Sequence, residues 1–434
     1  MIFVPARGKR SAAIGAAAAI SMLAAACGSG SGGGSVASHE TLTFDVAIAF
    51  TGPDAPFGPE TMAGCIPAVR LINAAGGVLG HKVACSSTNT QGDPADAVPA
   101  IEKMLATSSG VVGVLGPSSD EASAIVPILN AASIPMFVIT GQPSFDKSTY
   151  QYFWRSLPAD DQLGYAMAAW GKLKGYTKAA AFFGNSVGAQ SQVPGLVNGY
   201  KHLGLTISPD LAIAYDQSSY RSEIEQILSA QPQAIFEELD PQTGATFTSE
   251  LKNLESKPIP IVGDSVTLEP SWIHAVSGGI GAAALKNECV ALQPYAPPSG
   301  PGWQAYDSAL LASASQMKNA KQYTSDPYAM DPYDGTVIMA LAMLQAHSVK
   351  TSVFNSHILD VTQPRPGAVT VHTFAQGKAA LAAGHQIRYI GAMGPVDFNS
   401  YHNSTGGFDA VSCATNETTP VGVISAAQVK AAQG

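Results

Sequence analysis

The chain has 434 residues, with 23 Lys+Arg against 32 Asp+Glu, a net charge of −9 and only 13% charged residues. That balance excludes a nucleic-acid binder, which needs a basic face. The 46% apolar content, with 43 Gly and 29 Pro, excludes a disordered chain, and at roughly 150 residues per domain the length predicts two to three domains.

Residues 1–26 carry Arg7, Lys9 and Arg10, no acid, and then the apolar stretch SAAIGAAAAISMLAAA from Ser11 to Ala26. This order predicts a secretory signal. The stretch is shorter than the roughly 20 residues that span a bilayer. LAAAC at 23–27 resembles a bacterial lipobox, although Ala24 stands where a large aliphatic residue is usual. The resemblance implies cleavage before Cys27 and a diacylglycerol on its thiol. GSGSGGGS follows at once, and Gly and Ser bury no apolar area, so 27–40 reads as a lipidated, flexible tether with an r.m.s. reach of about 20 Å.

From Thr41 strands and helices alternate. LTFDVAIAF (42–50) is a strand ending in the turn TGPDAPFG, and PETMAGCIPAVRLINAAGG (59–77) has helical spacing closed by a Gly pair. HKVACSSTN (81–89), GVVGVLG (110–116) and IPMFVIT (134–140) read as strands, with helices at 93–110 and 118–133 between them. The rhythm restarts after 154–158: helix 160–175, strand 178–184, helix 193–204, strand 205–215, helix 219–230 and strand 234–239. ECVALQPYAP (288–297) leads to helices at 303–317 and 332–347 and to short strands within 384–413. Such alternation implies parallel sheets covered by helices, an α/β class.

Excluding Cys27 leaves Cys65, Cys85, Cys289 and Cys413, an even number in an exported chain, which predicts two disulfides. Three pairings are open. Cys65–Cys85 with Cys289–Cys413 is preferred, because the first closes a short loop and the second joins late segments.

In an open α/β sheet ligands settle beyond the carboxyl ends of the strands. TGPDAPFG, GPSSDEAS (116–123) and TGQPS (140–144) converge there, and Ser118 and Ser119 open a helix whose first N–H groups attract anions. Gly184-Asn185-Ser186-Val187-Gly188 matches the G-x-S-x-G nucleophile elbow after an apolar strand. A serine hydrolase using Ser186 is therefore the rival reading, with Asp240 or Asp264 and then His385 or His402 as partners. None of these has a recognisable context, and Pro194 interrupts the helix such an elbow starts. No histidine has metal-ligand spacing; His402 near Asp397 and Asn399 reads as a surface loop. No cofactor, metal or nucleic acid is expected.

Taken together, TGPDAPFG, NAAGGVLGHKV (73–83), GDPADAV (92–98), VVGVLGPSS (111–119), FWRSLP (153–158) and YDGTVIMALAML (333–344) resemble the branched-chain amino-acid type of periplasmic-binding-protein family. The resemblance implies two Rossmann-like lobes joined by three crossover strands, here 41–157 plus 292–390 and 158–291 plus 391–434, with hinges near 155–158, 291–296 and 391–398. It implies a non-enzymatic, membrane-anchored receptor for an ABC importer, passing a small ligand to permease subunits; a sensor without transport is the further alternative. Phe57 matches an aromatic lining the cleft, Ser118 or Ser119 the hydroxyl holding a ligand carboxylate, and Thr140 and Gly141 further contacts. Asp240 and Asp264 match groups that meet an ammonium or close the pocket. Val187 stands where amino-acid receptors carry Tyr, which opens the expected ligands to amino acids, amides and aromatic acids.

Overall fold

The structure, a computed structural model, describes residues 40–52, 54–414 and 420–434; the signal segment, Cys27 and almost all of the tether lie outside the described residues. The first half begins with β1 (Leu42–Ile48), α1 (Phe57–Ala74), β2 (Val83–Asn89), α2 (Pro94–Thr107), β3 (Val111–Leu115), α3 (Ser119–Ala131), β4 (Met136–Phe137) and β5 (Phe153–Trp154). These strands form one parallel sheet in the order β2-β1-β3-β4-β5. β3 is buried at every position because helices cover both faces of the sheet. The strand expected over 134–140 is cut to two residues, since Ile139 and Thr140 turn their N–H groups to the Pro117 carbonyl (3.0 and 2.9 Å). Gly116 is required where β3 ends: its φ is +109°, and a Cβ there would strike the Ala47 carbonyl.

The second half runs through α4 (Asp160–Lys174), β6 (Lys178–Gly184), α5 (Val187–His202), β7 (Thr206–Ile213), α6 (Arg221–Ala230), β8 (Ile235–Glu238), α7 (Pro241–Leu254), β9 (Ile261–Gly263), α8 (Pro270–Ile280), α9 (Ala282–Glu288) and β10 (Cys289–Pro294). α5 starts six residues before the expected helix and runs through Pro194, so that proline does not interrupt it. The chain then returns to the first half for α10 (Gly300–Ala312), α11 (Pro327–Gln345), α12 (Thr351–Phe354), α13 (Ile358–Thr362), β11 (Val369–Val371), α14 (Phe374–Ala382), β12 (Ile387–Gly391) and β13 (Gly394–Pro395). α11 is buried along almost its whole length in the first core, which explains its apolar, Met-rich sequence. The chain ends in the second half with β14 (Phe408–Ser412), β15 (Pro420–Ile424) and α15 (Ala426–Gln433). The second sheet has the order β15-β14-β10-β9-β8-β6-β7, in which β14 and β15 are antiparallel additions to a parallel sheet.

Three passages join the halves. The changes expected at 291/292 and 390/391 fall inside β10 and at the end of β12. Leu292 belongs to the second core, and Val396 and Phe398 still pack in the first, so the chain passes over at 295–299 and 399–407 instead. The passages bond to one another: Arg155 N–H donates to His402 O (2.9 Å), Ser404 N–H to Arg155 O (2.8 Å) and Tyr295 N–H to Gly407 O (2.9 Å). Both preferred disulfides form, Cys65–Cys85 tying α1 to β2 and Cys289–Cys413 tying β10 to the residue after β14. Among the described residues no helix is long and apolar enough to cross a membrane.

Candidate functional site

The carboxyl ends of the strands of both sheets face one cleft, which takes in about 460 Å³ of space, part of it open to solvent. The first half supplies Asp54 and Phe57 from the turn after β1, Ser118 and Ser119 after β3, Ile139, and Tyr328 from the start of α11. Facing them are Asp160 and Leu163 of α4, Gly188 and Gln192 of α5, Glu238 at the end of β8, and Asp264, Ser265 and Val266 after β9.

The two adjacent serines have different partners. Ser118 donates its hydroxyl (2.8 Å) and its N–H (3.2 Å) to the Glu121 carboxylate three residues on, within the first turn of α3. Ser119 donates across the cleft to Asp160 Oδ2 (3.0 Å) and accepts from the Gly141 N–H (3.1 Å). A second bond joins the halves: Gly188 N–H donates to Asp120 Oδ1 (2.7 Å). Gln192 donates from Nε2 to Asp264 Oδ2 (2.9 Å) and to Glu238. Its Oε1 is buried and has no hydrogen-bond partner in the protein.

The electrostatics of the cleft are one-sided. Burial, and then the charges of Asp120 and Glu121, push the Asp54 carboxyl up to about 8. Burial raises Asp160 to about 7 against the opposing pull of the Ser119 hydrogen bond and the Arg155 guanidinium. Glu238 lies well above the ordinary carboxylate range through burial and its neighbour Asp264, so this pair holds a proton between its two carboxyls. Arg155 is 2% exposed, with Nη1 donating to Gln142 O (3.1 Å), Nη2 paired with Asp146 and Nε buried without a hydrogen-bond partner in the protein. A wider opening shares Ser265 and Tyr328 with the cleft and holds another acidic trio, Glu60, Glu269 and Asp326.

Of the residues singled out in the sequence, Phe57, Ser118, Ser119 and Asp264 line the cleft. Thr140 and Gly141 lie behind it, fully buried and buried respectively, bonded to Ser119. Asp240 is not in the lining; its Oδ1 caps α7 through the N–H groups of Gln242 and Thr243. Val187 is half exposed and outside the lining, while its neighbour Gly188 takes part. Ser186 caps α5 by accepting from the Ala189 N–H (3.2 Å), accepts from the Tyr215 hydroxyl (3.3 Å) and bonds Asp120, in ordinary extended backbone geometry. His402 stacks on Trp154 at 3.8 Å and bonds to Phe153 O. Among the described residues no group of three or more His, Cys, Asp or Glu is arranged to hold a metal ion. Asp54, Asp160, Gln192, Glu238 and Tyr328 were not singled out; the signal for Glu238 is the pair of acids in the apolar strand AIFEEL.

The chain is similar to known binding proteins. A Leu/Ile/Val-binding protein, BraC3 of Rhizobium johnstonii, is 25% identical over 240 residues, covering 54% of this chain and 64% of the relative. A Leu/Ile/Val-binding protein homolog of Brucella melitensis is 34% identical over 80 residues, covering 18% and 21%. The chain thus spans less than two thirds of the length of either curated relative. Among solved structures, the branched-chain amino acid transporter substrate binding protein LivJ of Streptococcus pneumoniae, in complex with isoleucine, superposes with a TM-score of 0.69 at 16% identity, covering 89% of this chain and 99% of that one. A solute binding protein of R. palustris in complex with benzoate gives a TM-score of 0.67 at 15% identity, covering 89% and 97%. These likenesses place the two-halved architecture among type I periplasmic binding proteins. The sequence model described as periplasmic binding protein matches residues 44–414, and the chain belongs to that family.

Proposed function

We propose that the protein is an extracytoplasmic, lipid-anchored solute receptor that captures a small organic ligand between its halves and delivers it to the permease of an ABC importer. The observation that carries this reading is that side chains of both halves line one cleft next to a three-stranded hinge. A ligand touching both walls binds the closed arrangement better than the open one, so it shifts the hinge equilibrium toward closure. The closed form is then the signal a permease reads. Amino-acid and aromatic-acid names among the relatives and neighbours support a solute of that size. Commitment of Ser186 to capping α5 supports a reading without bond-breaking chemistry. The signal-like 1–26, Cys27 and the Gly/Ser run support export and lipidation.

Native mass spectrometry of the undenatured protein, paired with small-angle scattering before and after ligand removal, tests the proposal. A co-purified small molecule whose removal increases the radius of gyration is expected. An unchanged radius with no bound molecule refutes it.

A further inference from the structure

Four carboxyls line the cleft, and among the described residues none forms an ion pair with a Lys, Arg or His. Asp54 reaches in from the first half, and Asp160, Glu238 and Asp264 from the second; among the described residues no Lys or Arg lines the space. The two seryl hydroxyls that could hold an incoming carboxylate are already engaged, Ser118 with Glu121 and Ser119 with Asp160, and the remaining hydroxyls in the lining, Ser265 and Tyr328, bond each other. Arg155, the guanidinium close enough to act on Asp160, is held by Gln142 and Asp146. What the cleft leaves unused is accepting capacity, seen independently of the acids at Gln192. This side chain is 3% exposed and lines the cleft, its Nε2 is occupied by Asp264 and Glu238, and its Oε1 has no partner. A buried amide oxygen without a donor is a cost that a ligand N–H removes. Phe57, Ile139, Leu163 and Val266 supply apolar wall for a carbon skeleton.

We propose that the ligand is an organic ammonium ion with an apolar body and no compensating carboxylate, such as an alkyl or arylalkyl amine or a diamine. The inference rests on the solute-receptor reading and names the chemical class that reading leaves open. The ammonium sits among Asp160, Glu238 and Asp264 and donates to Gln192 Oε1. It also supplies the force for closure. The acids of the two halves repel one another when the empty cleft shuts, and a cation between them turns that repulsion into attraction.

Calorimetry on the full exported protein at pH 8, after removal of bound solutes, with four separate probes tests this: 1,4-diaminobutane, 2-phenylethylamine, isoleucine and 4-hydroxybenzoate. At least one amine is expected to bind ten times or more tightly than isoleucine, with 4-hydroxybenzoate weakest. Glu238→Gln is expected to weaken the amine at least tenfold while the melting temperature of the empty protein stays level or rises, because the amide can donate to Asp264 in place of the shared proton. Binding of isoleucine or 4-hydroxybenzoate as tightly as the better-binding amine overturns the cation inference and leaves the receptor reading standing. Failure of both amines also overturns it, and failure of all four with no change in radius of gyration counts against the receptor reading as well. The comparison among probes on the unaltered protein needs no variant to fold.

Discussion

Replacing Ser118 and Ser119 separately by Ala distinguishes two roles that the sequence cannot tell apart. Ser119 Oγ is the donor in a bond of 3.0 Å from the first half to Asp160, the first residue of α4, and opening of the hinge is expected to break it. A hydrogen bond to a charged group contributes about 1.5–3 kcal/mol. Losing it lowers the closing constant by roughly 10- to 150-fold. Because apparent affinity scales with the closable fraction, ligand affinity falls by the same factor. Ser118 bonds Glu121 within its own helical turn, at 2.8 Å, and Asp54 of the same half, so Ser118→Ala costs about 0.5–2 kcal/mol of stability and leaves affinity within about threefold. Calorimetry at pH 8 with the tightest-binding of the four probes, together with thermal unfolding of the empty protein, separates the effects. Equal losses of affinity in the two variants, or a larger loss from Ser118→Ala, would refute the assignment of Ser119 as the bond across the cleft.

Two further predictions concern charge and covalent links. Burial raises Asp54 to about 8 and Asp160 to about 7, so in the empty closed cleft these groups bind protons between the ordinary carboxylate range and those values; protonation favours empty closure at low pH, and that advantage is lost as pH rises through 7 to 8. An alkylammonium stays charged to about pH 10 and needs the ionised acids, so affinity for 1,4-diaminobutane should rise at least tenfold from pH 5.5 to pH 8.5, and a flat calorimetric profile contradicts this. Disulfide removal should scale with the chain each bond spans: replacing both Cys289 and Cys413 by Ala, across 124 residues, costs about 5 kcal/mol, and the same change at Cys65 and Cys85, across 20 residues, about 3 kcal/mol, as read by urea unfolding of each variant.

The parallel sheets were legible because their signals are local. KAAAFFG is a strand at the residues expected, 178–184, and the rhythm of β1 to α4 follows from buried runs separated by capped helices. α7 to α9 were not foreseen. Gly244 and the β-branched threonines of α7 blur its helical pattern, and its marks, Asp240 as cap with Pro241 at the first position, are short-range signals in a segment without a clear apolar stripe. The lobe boundaries failed for a different reason. A chain passing from one sheet to the other does so in extended conformation, so the strand β10 and the passage after it look alike in sequence, and only the partners of Leu292 and Phe398 reveal which core each joins.

The site was half legible for a reason that also explains its chemistry. Turns after strands mark the cleft and pointed to Ser118 and Ser119, while Phe57 and Asp264 came from the family resemblance; all four line the cleft. The charge of a cleft, however, is a sum over elements distant in sequence. Asp54 stands in the turn that follows a strand and Asp160 in the first turn of α4, where an acid suits the helix dipole; both have an ordinary local reason to be acidic. Only β8 breaks a local rule. In a buried strand, Glu237 and Glu238 point to opposite faces, the first 1% exposed and bonded to Thr267, the second turned to the cleft. Burying both costs free energy that packing does not return, and a neutral strand would fold more readily. A fold that retains such a pair at the mouth of its cleft, with Gln192 adding another acceptor, is suited to a guest that arrives with positive charge and hydrogen-bond donors.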